Sequence, residues 1–168
     1  MAHSRIFLRS SAALLAVMFF VAPKVQATTL LIEAEQLEMP GCWEQVMLRG
    51  DDVRKFILAG SHSRGAPAAG AIELPKAGKW RLWVRSKDFP ADRPGIRQFS
   101  VRLGEARSQK TFGKHGQADF DGWSWEDGGT FELKAGPTLI VIGEESTFAA
   151  RCDALLLDER YQRRAQGI

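Results

Sequence analysis

An all-β fold, an antiparallel β-sandwich or jelly roll, is what this sequence predicts, and three observations carry the prediction. No long stretch repeats every 3.6 residues, so no helix-led architecture fits. Roughly eight to ten short segments alternate or run apolar instead, punctuated by Gly and Pro. The clearest of them is Ala77–Lys87. From Trp80 it places Trp80, Leu82 and Val84 on one side and Arg81, Trp83 and Arg85 on the other, because a strand repeats every two residues.

The other elements follow in order. Thr28–Glu35 reads as the first strand, with Glu33 and Glu35 on one side, and Pro40-Gly41 turns the chain. Cys42–Leu48 is a short strand with Trp43 partly buried, Arg49–Lys55 is charged and loop-like, and Phe56–Leu58 is apolar. Gly60–Gly70 is a Gly-, Ser- and Ala-rich loop holding His62 and Arg64, and Ala71–Leu74 leads into the Trp80 strand. Asp88–Gly95 is a long loop with Arg93, and Gln98–Leu103 alternates with Phe99, Val101 and Leu103 inward. Arg107–Phe112 is a further strand candidate, and Gly113–Gly122 is a polar loop with Lys114, His115, Asp119 and Asp121. Trp123–Glu126 resumes strand spacing, Gly128-Gly129 interrupts it, and Thr130–Lys134 continues with Phe131 and Leu133 inward. Thr138–Ile142 is apolar on both faces and reads as central, and Cys152–Leu157 is the last strand. Trp80 and Trp125 are assigned to the core. Trp123, two residues from Trp125, shares its face nearer the mouth of the sandwich.

Residues 1–27 read as a secretory leader. Arg5 and Arg9 precede the apolar run Ala12–Ala22, which is too short to span a bilayer, and Val25-Gln26-Ala27 is a small-residue cleavage site. An uncleaved N-terminal anchor is the alternative. Residues 28–158 form one domain and 159–168 a polar tail. The whole chain holds 23 Lys+Arg against 20 Asp+Glu. Arg5, Arg9 and Lys24 go with the leader and no acid does, so the mature chain is formally neutral and its composition does not point to nucleic acid. No membrane span is expected in it. Cys42 and Cys152 are an even pair in an exported chain and read as a disulfide, with two buried free thiols as the alternative.

Motifs for catalysis are scarce. No Gly-x-Ser-x-Gly elbow, His-Glu-x-x-His pair or phosphate-binding loop occurs. Asp119, Asp121 and Glu126 are acids that a glycan-cleaving enzyme would need, yet acids in loops are common. The face of Trp83, flanked by Arg81 and Arg85, is the best aromatic platform, with packing under a loop or against a partner as the equal alternative. Arg64, His115 and Arg93 lie in loops that a jelly roll gathers at one end.

The order of several short motifs resembles a known group of folds. They are Ile32-Glu33-Ala34-Glu35, Leu74–Arg85, Trp123-Ser124-Trp125 through Gly129, Leu133–Gly136 and Cys152–Asp158. Together they resemble galactose-binding-like β-sandwiches, particularly carbohydrate-binding modules of families six and thirty-five. The resemblance implies a jelly roll of two antiparallel sheets with a structural calcium on Glu33, Glu35 and Asp153; three carboxylates suit a hard cation. It also implies saccharide binding at edge loops or on a sheet face, here by Trp83, Arg85, Arg81, Arg64, His115 and Trp123. The mature chain has no Asn and only Tyr161 as Tyr, so Trp, Arg, His, Asp and Glu must make such a site. An acidic sugar fits the guanidinium groups better than a neutral one. The expected function is therefore an exported, non-catalytic carbohydrate-binding module. The alternatives are a module of the same fold that binds a protein partner or envelope component, and a small glycan-cleaving enzyme.

Overall fold

The computed structural model describes residues 28–48, 54–59, 65–90, 92–116, 122–146 and 149–159. The expected leader, His62, Arg64, Asp119, Asp121 and all of the expected tail but Glu159 lie outside them.

The chain forms β1 (Thr29–Glu33), β2 (Trp43–Leu48), β3 (Arg54–Ala59), β4 (Ala68–Leu74), β5 (Gly78–Lys87), β6 (Phe99–Leu103), β7 (Ala106–Arg107), β8 (Trp123–Leu133), β9 (Gly136–Glu144) and β10 (Arg151–Asp158). The described strands make two antiparallel sheets. The larger runs β2-β3-β10-β5-β8, with β1 also on β10; the smaller runs β4-β9-β6-β7. Strand β10 shares one edge between two partners: Arg151 and Cys152 pair with β3, and Ala154–Asp158 pair with β1. Its other edge lies along β5. Between β1 and β2 a 3-10 turn, Ala34–Gln36, lifts the chain to the smaller sheet, where Glu38 and Ala69 exchange backbone hydrogen bonds of 2.8 and 2.9 Å.

The core lies between the sheets. Trp80, Leu82 and Val84 of β5 are sealed, as their alternation requires, and meet Leu155 and Leu157 of β10 and Phe99, Val101, Ile140 and Ile142 of the smaller sheet. Trp43 packs edge-on to Phe99 at 6.0 Å, so it is a core residue rather than a partly buried one. Each such side chain contributes about 1.5–3 kcal/mol through its removal from water.

Several boundaries differ from the sequence reading. The first strand ends at Glu33, and Glu35 belongs to the 3-10 turn. Pairing with β2 extends β3 back to Arg54. Arg107–Phe112 is a two-residue strand and a single bridge from Phe112 to Phe99. Strand β9 is central in its sheet, as its apolar faces predict, with Leu139 exposed.

The largest departure concerns β8. Gly128-Gly129 does not interrupt the strand; it is a bulge, with the register against β5 shifting between Leu82 and Trp83. One extra residue reverses which face every later side chain takes. Phe131 and Leu133 therefore enter the core, while Trp123 and Trp125 stand on the opposite face. Trp125 is 42% exposed and is not a core residue.

Cys42 and Cys152 are not bonded. Both are free thiols buried in the apolar core. Burial above all, then the charges of Asp153, Glu126 and Glu35, pushes the Cys152 thiol well up, so it stays protonated and unreactive.

Candidate functional site

Alternation on β5 leaves Arg81, Trp83, Arg85 and Lys87 on the outer face of the larger sheet. Residues directly opposite in an antiparallel ladder share a face, so the register fills in the rest. Thr130, Asp127, Trp125 and Trp123 of β8 stand beside Arg81, Trp83, Arg85 and Lys87 in that order. On the other flank, Asp158, Leu156 and Ala154 of β10 stand beside Arg81, Trp83 and Arg85. Leu31 of β1 faces Leu156, and Glu33 faces Ala154. An apolar row thus crosses the sheet from Leu31, 57% exposed, through Leu156 to the half-buried Trp83. Trp125 stands in the adjoining row.

The arginines of this face already have partners. Arg81 grips Asp127 through Nε at 3.0 Å and Nη2 at 2.6 Å, and its guanidinium lies 5.1 Å from the centre of the Trp83 ring. Burial alone would raise the Asp127 carboxyl. The Arg81 hydrogen bond, the Gly129 N–H and the charges of Arg81 and Lys110 together outweigh it and hold the group below its usual value. Arg85 donates from Nη1 to Asp153 at 2.5 Å and stacks 5.4 Å over Trp123. Trp123 itself is sealed, with Phe56 edge-on at 5.0 Å and the Lys87 ammonium 5.9 Å from its ring. It braces the face from beneath and offers no open ring to a ligand.

The acids expected to hold calcium are neighbours. Burial first, then the charges of Glu35 and Asp153, raise the Glu33 carboxyl, against a smaller opposing effect of Arg85. Oε2 of Glu35 is buried with no hydrogen-bond partner among the described residues. Asp153 occupies the bulge of β10, between Cys152 and Ala154, and gives its oxygen to Arg85. The orphaned oxygen and the crowded negative charge suit a cation. Among the described residues, however, no group of three His, Cys, Asp or Glu side chains is drawn together tightly enough to hold a metal, so Asp153 would have to exchange Arg85 for the ion.

Trp83, Arg81, Arg85 and Trp123 are therefore brought to one face, the last of them buried. His115 is half-buried in the loop at the end of that face, where Asp88 accepts the Gly116 N–H at 2.8 Å. Arg64 lies outside the described residues. The sequence reading missed Trp125 and Asp127 as members of the face. Their signal was the Gly-Gly pair: a bulge at that point returns both to the side of Trp83.

Comparison with known proteins bears on the fold. No family model and no curated relative matches the chain. Among solved structures, a family 35 carbohydrate-binding module from Clostridium thermocellum superposes with a TM-score of 0.58 at 14% identity, over 78% of this chain and 98% of that one. The C-terminal family 6 module of LamC, a laminarinase of Zobellia galactanivorans, gives 0.57 at 14% identity, over 79% and 100%. The GH26-CBM35 β-(1,4)-mannanase of Podospora anserina gives 0.57 at 16% identity, but this chain spans only 27% of that protein. Two antiparallel sheets and these superpositions agree: the chain has the β-sandwich fold of carbohydrate-binding modules of families 6 and 35.

Proposed function

We propose that this chain is an exported, non-catalytic module that binds saccharide on the outer face of its larger sheet, with Trp83 and Trp125 as the platform and a structural calcium held by Glu33, Glu35 and Asp153. The observation that carries the reading is that the half-buried Trp83 and the exposed Trp125 stand in adjoining rows of one face. An indole in water exposes apolar surface that a sugar's C–H face covers well. Asp127 and Arg81, fixed on one another beside Trp83, present charged hydrogen-bonding groups to hydroxyls at the rim. The fold shared with whole carbohydrate-binding modules supports binding without turnover, and residues 1–27 support export.

Glycan-array binding on wild type, Trp83→Ala and Trp125→Ala tests the site. Each substitution is expected to remove glycan binding with a stability loss below about 1 kcal/mol for the exposed Trp125. Full binding by both variants overturns the platform, and release of reducing ends by the wild type overturns the non-catalytic reading.

A further inference from the structure

Beyond the aromatic face, at the end of the same sheet, arginines gather around one ring. The guanidinium of Arg97 lies 4.7 Å from the centre of the Phe89 ring and that of Arg151 lies 4.3 Å from it. Arg97 is buried, Arg151 is half-buried, and Phe89 is 38% exposed, so the cluster opens to solvent along the ring. Lys87 faces Arg151 across the ladder. A phenyl ring attracts the flat face of a guanidinium but accepts none of its in-plane N–H bonds. Nη1 of Arg151 is accordingly buried with no hydrogen-bond partner among the described residues. Burial, then the charge of Arg97, pulls Arg151 down to about 10; burial, then the charge of Arg93, lowers Arg97. Cations thus act on cations here.

The supporting loops are anchored. Asp88 accepts the N–H groups of Gly95 and Gly116, each at 2.8 Å, and joins the loop that carries Arg97 to the one that carries His115. Ser146 accepts the Gln98 N–H at 2.9 Å and ties the Arg97 segment to the chain leading into β10. Arg97, in the loop before β6, and Arg151, at the start of β10, are held from two separate segments before any ligand arrives.

We infer that the Phe89–Arg97–Arg151 cluster is a binding site for an oxyanion, a carboxylate, sulfate or phosphate group, received by the unpartnered edge of Arg151. A planar guanidinium edge presents paired donors to two oxygens of such a group, and the anion relieves the repulsion between the arginines. The site uses none of the platform residues, so it stands whether or not Trp83 binds sugar.

The test is an NMR titration of the full chain after leader removal. Sodium sulfate, phosphate, glucuronate and glucose are added in turn at constant ionic strength set with chloride. The expected result is a saturable shift of the Gly95, Gly116 and Arg151 amides with the anions and none with glucose. Response to glucuronate as well as sulfate assigns a saccharide-borne anion as a ligand; response to inorganic anions alone assigns a free one. Arg151→Gln is expected to weaken the affinity at least about tenfold, while Arg102→Gln, an exposed arginine of the smaller sheet, leaves it unchanged. No saturable shift with any anion in the wild type overturns the site, as does an undiminished response in folded Arg151→Gln. The wild-type titration decides the matter by itself if Arg151→Gln does not fold.

Discussion

On β8 the residue that breaks register belongs to a glycine pair; on β10, two strands away in the same sheet, it is Asp153. Both bulges reverse the alternation of their strand, and both reversals serve the core. Without the first, Phe131 and Leu133 would point outward; without the second, Cys152 could not share the core with Leu155 and Leu157. The means differ. Gly128 passes so close to Leu82 that a Cβ there would sit 2.7 Å from Cδ2, and Gly129 has φ +92, a conformation disfavoured by side chains. That bulge is held by room for bare backbone. The Asp153 bulge is held by charge, through its ion pair with Arg85. A bulge kept by space has little to exchange with a ligand, whereas one kept by an ion pair has a partner that a cation can replace.

Asp153→Ala therefore has the largest expected effect. It leaves the largely covered Arg85 without its carboxylate, which costs about 3 kcal/mol, read as a lower denaturant midpoint. The same variant examines the proposed calcium. A cation bound only to the folded state adds about 2.7 kcal/mol at 100 times its Kd. Wild-type melting is expected to fall when chelator replaces calcium, and Asp153→Ala to melt alike in both. Identical wild-type curves in calcium and chelator remove the metal from the proposed function.

The glycine bulge breaks by smaller amounts and in two separable ways. Gly128→Ala forces a methyl against a sealed Leu82, an overpacking cost of about 1–3 kcal/mol. Gly129→Ala meets nothing within 4 Å and costs only backbone strain, about 1–2 kcal/mol. Unfolding in a Leu82→Ala background distinguishes them: the smaller side chain relieves Gly128→Ala and leaves Gly129→Ala unchanged. Relief of both, or of neither, would mean that the two glycines are not held for different reasons.

The two bulges also decide how much of the fold is legible in the sequence. The register shift against β8 falls between Leu82 and Trp83, but the extra residue belongs to β8, so β5 keeps its own alternation, which locates the core strand and the face of Trp83. Strand β8 hides its parity change in two glycines, which signal a turn as readily as a bulge. Alternation alone therefore puts Trp125 in the core and gives no sign of Asp127 beside Trp83. The jelly roll was legible because turn residues separate nearly every strand. The state of the cysteines was not: pairing depends on where two distant side chains point, and both point into the apolar core. Nor does any local pattern announce that Phe89, Arg97 and Arg151 meet, since the meeting is made by the β5–β10 ladder and by loops tied to Asp88.

The smallest expected effect lies at Glu33, beside the charged bulge, and its sign is informative. Its folded carboxyl is raised above the usual 4.5, first by burial and then by Glu35 and Asp153. Between 4.5 and the folded value the native state holds a proton that the unfolded chain has released. The group's stabilisation is therefore fully present at and below 4.5 and is lost as pH rises through the folded value. Asp127 on the same face runs the other way: held below 3.8, it contributes above that value and loses its contribution as pH falls through its folded one. In chelator, Glu33→Gln is expected to melt slightly higher than wild type at neutral pH, with the gain shrinking as pH falls toward 4.5. With calcium present and bound beside Glu33, the ion would favour the carboxylate, and the same substitution should lower the melting temperature instead. A Glu33→Gln variant that melts lower than wild type even in chelator would mean that the carboxylate is already well compensated, and the crowding of negative charge around the Asp153 bulge would lose its energetic meaning.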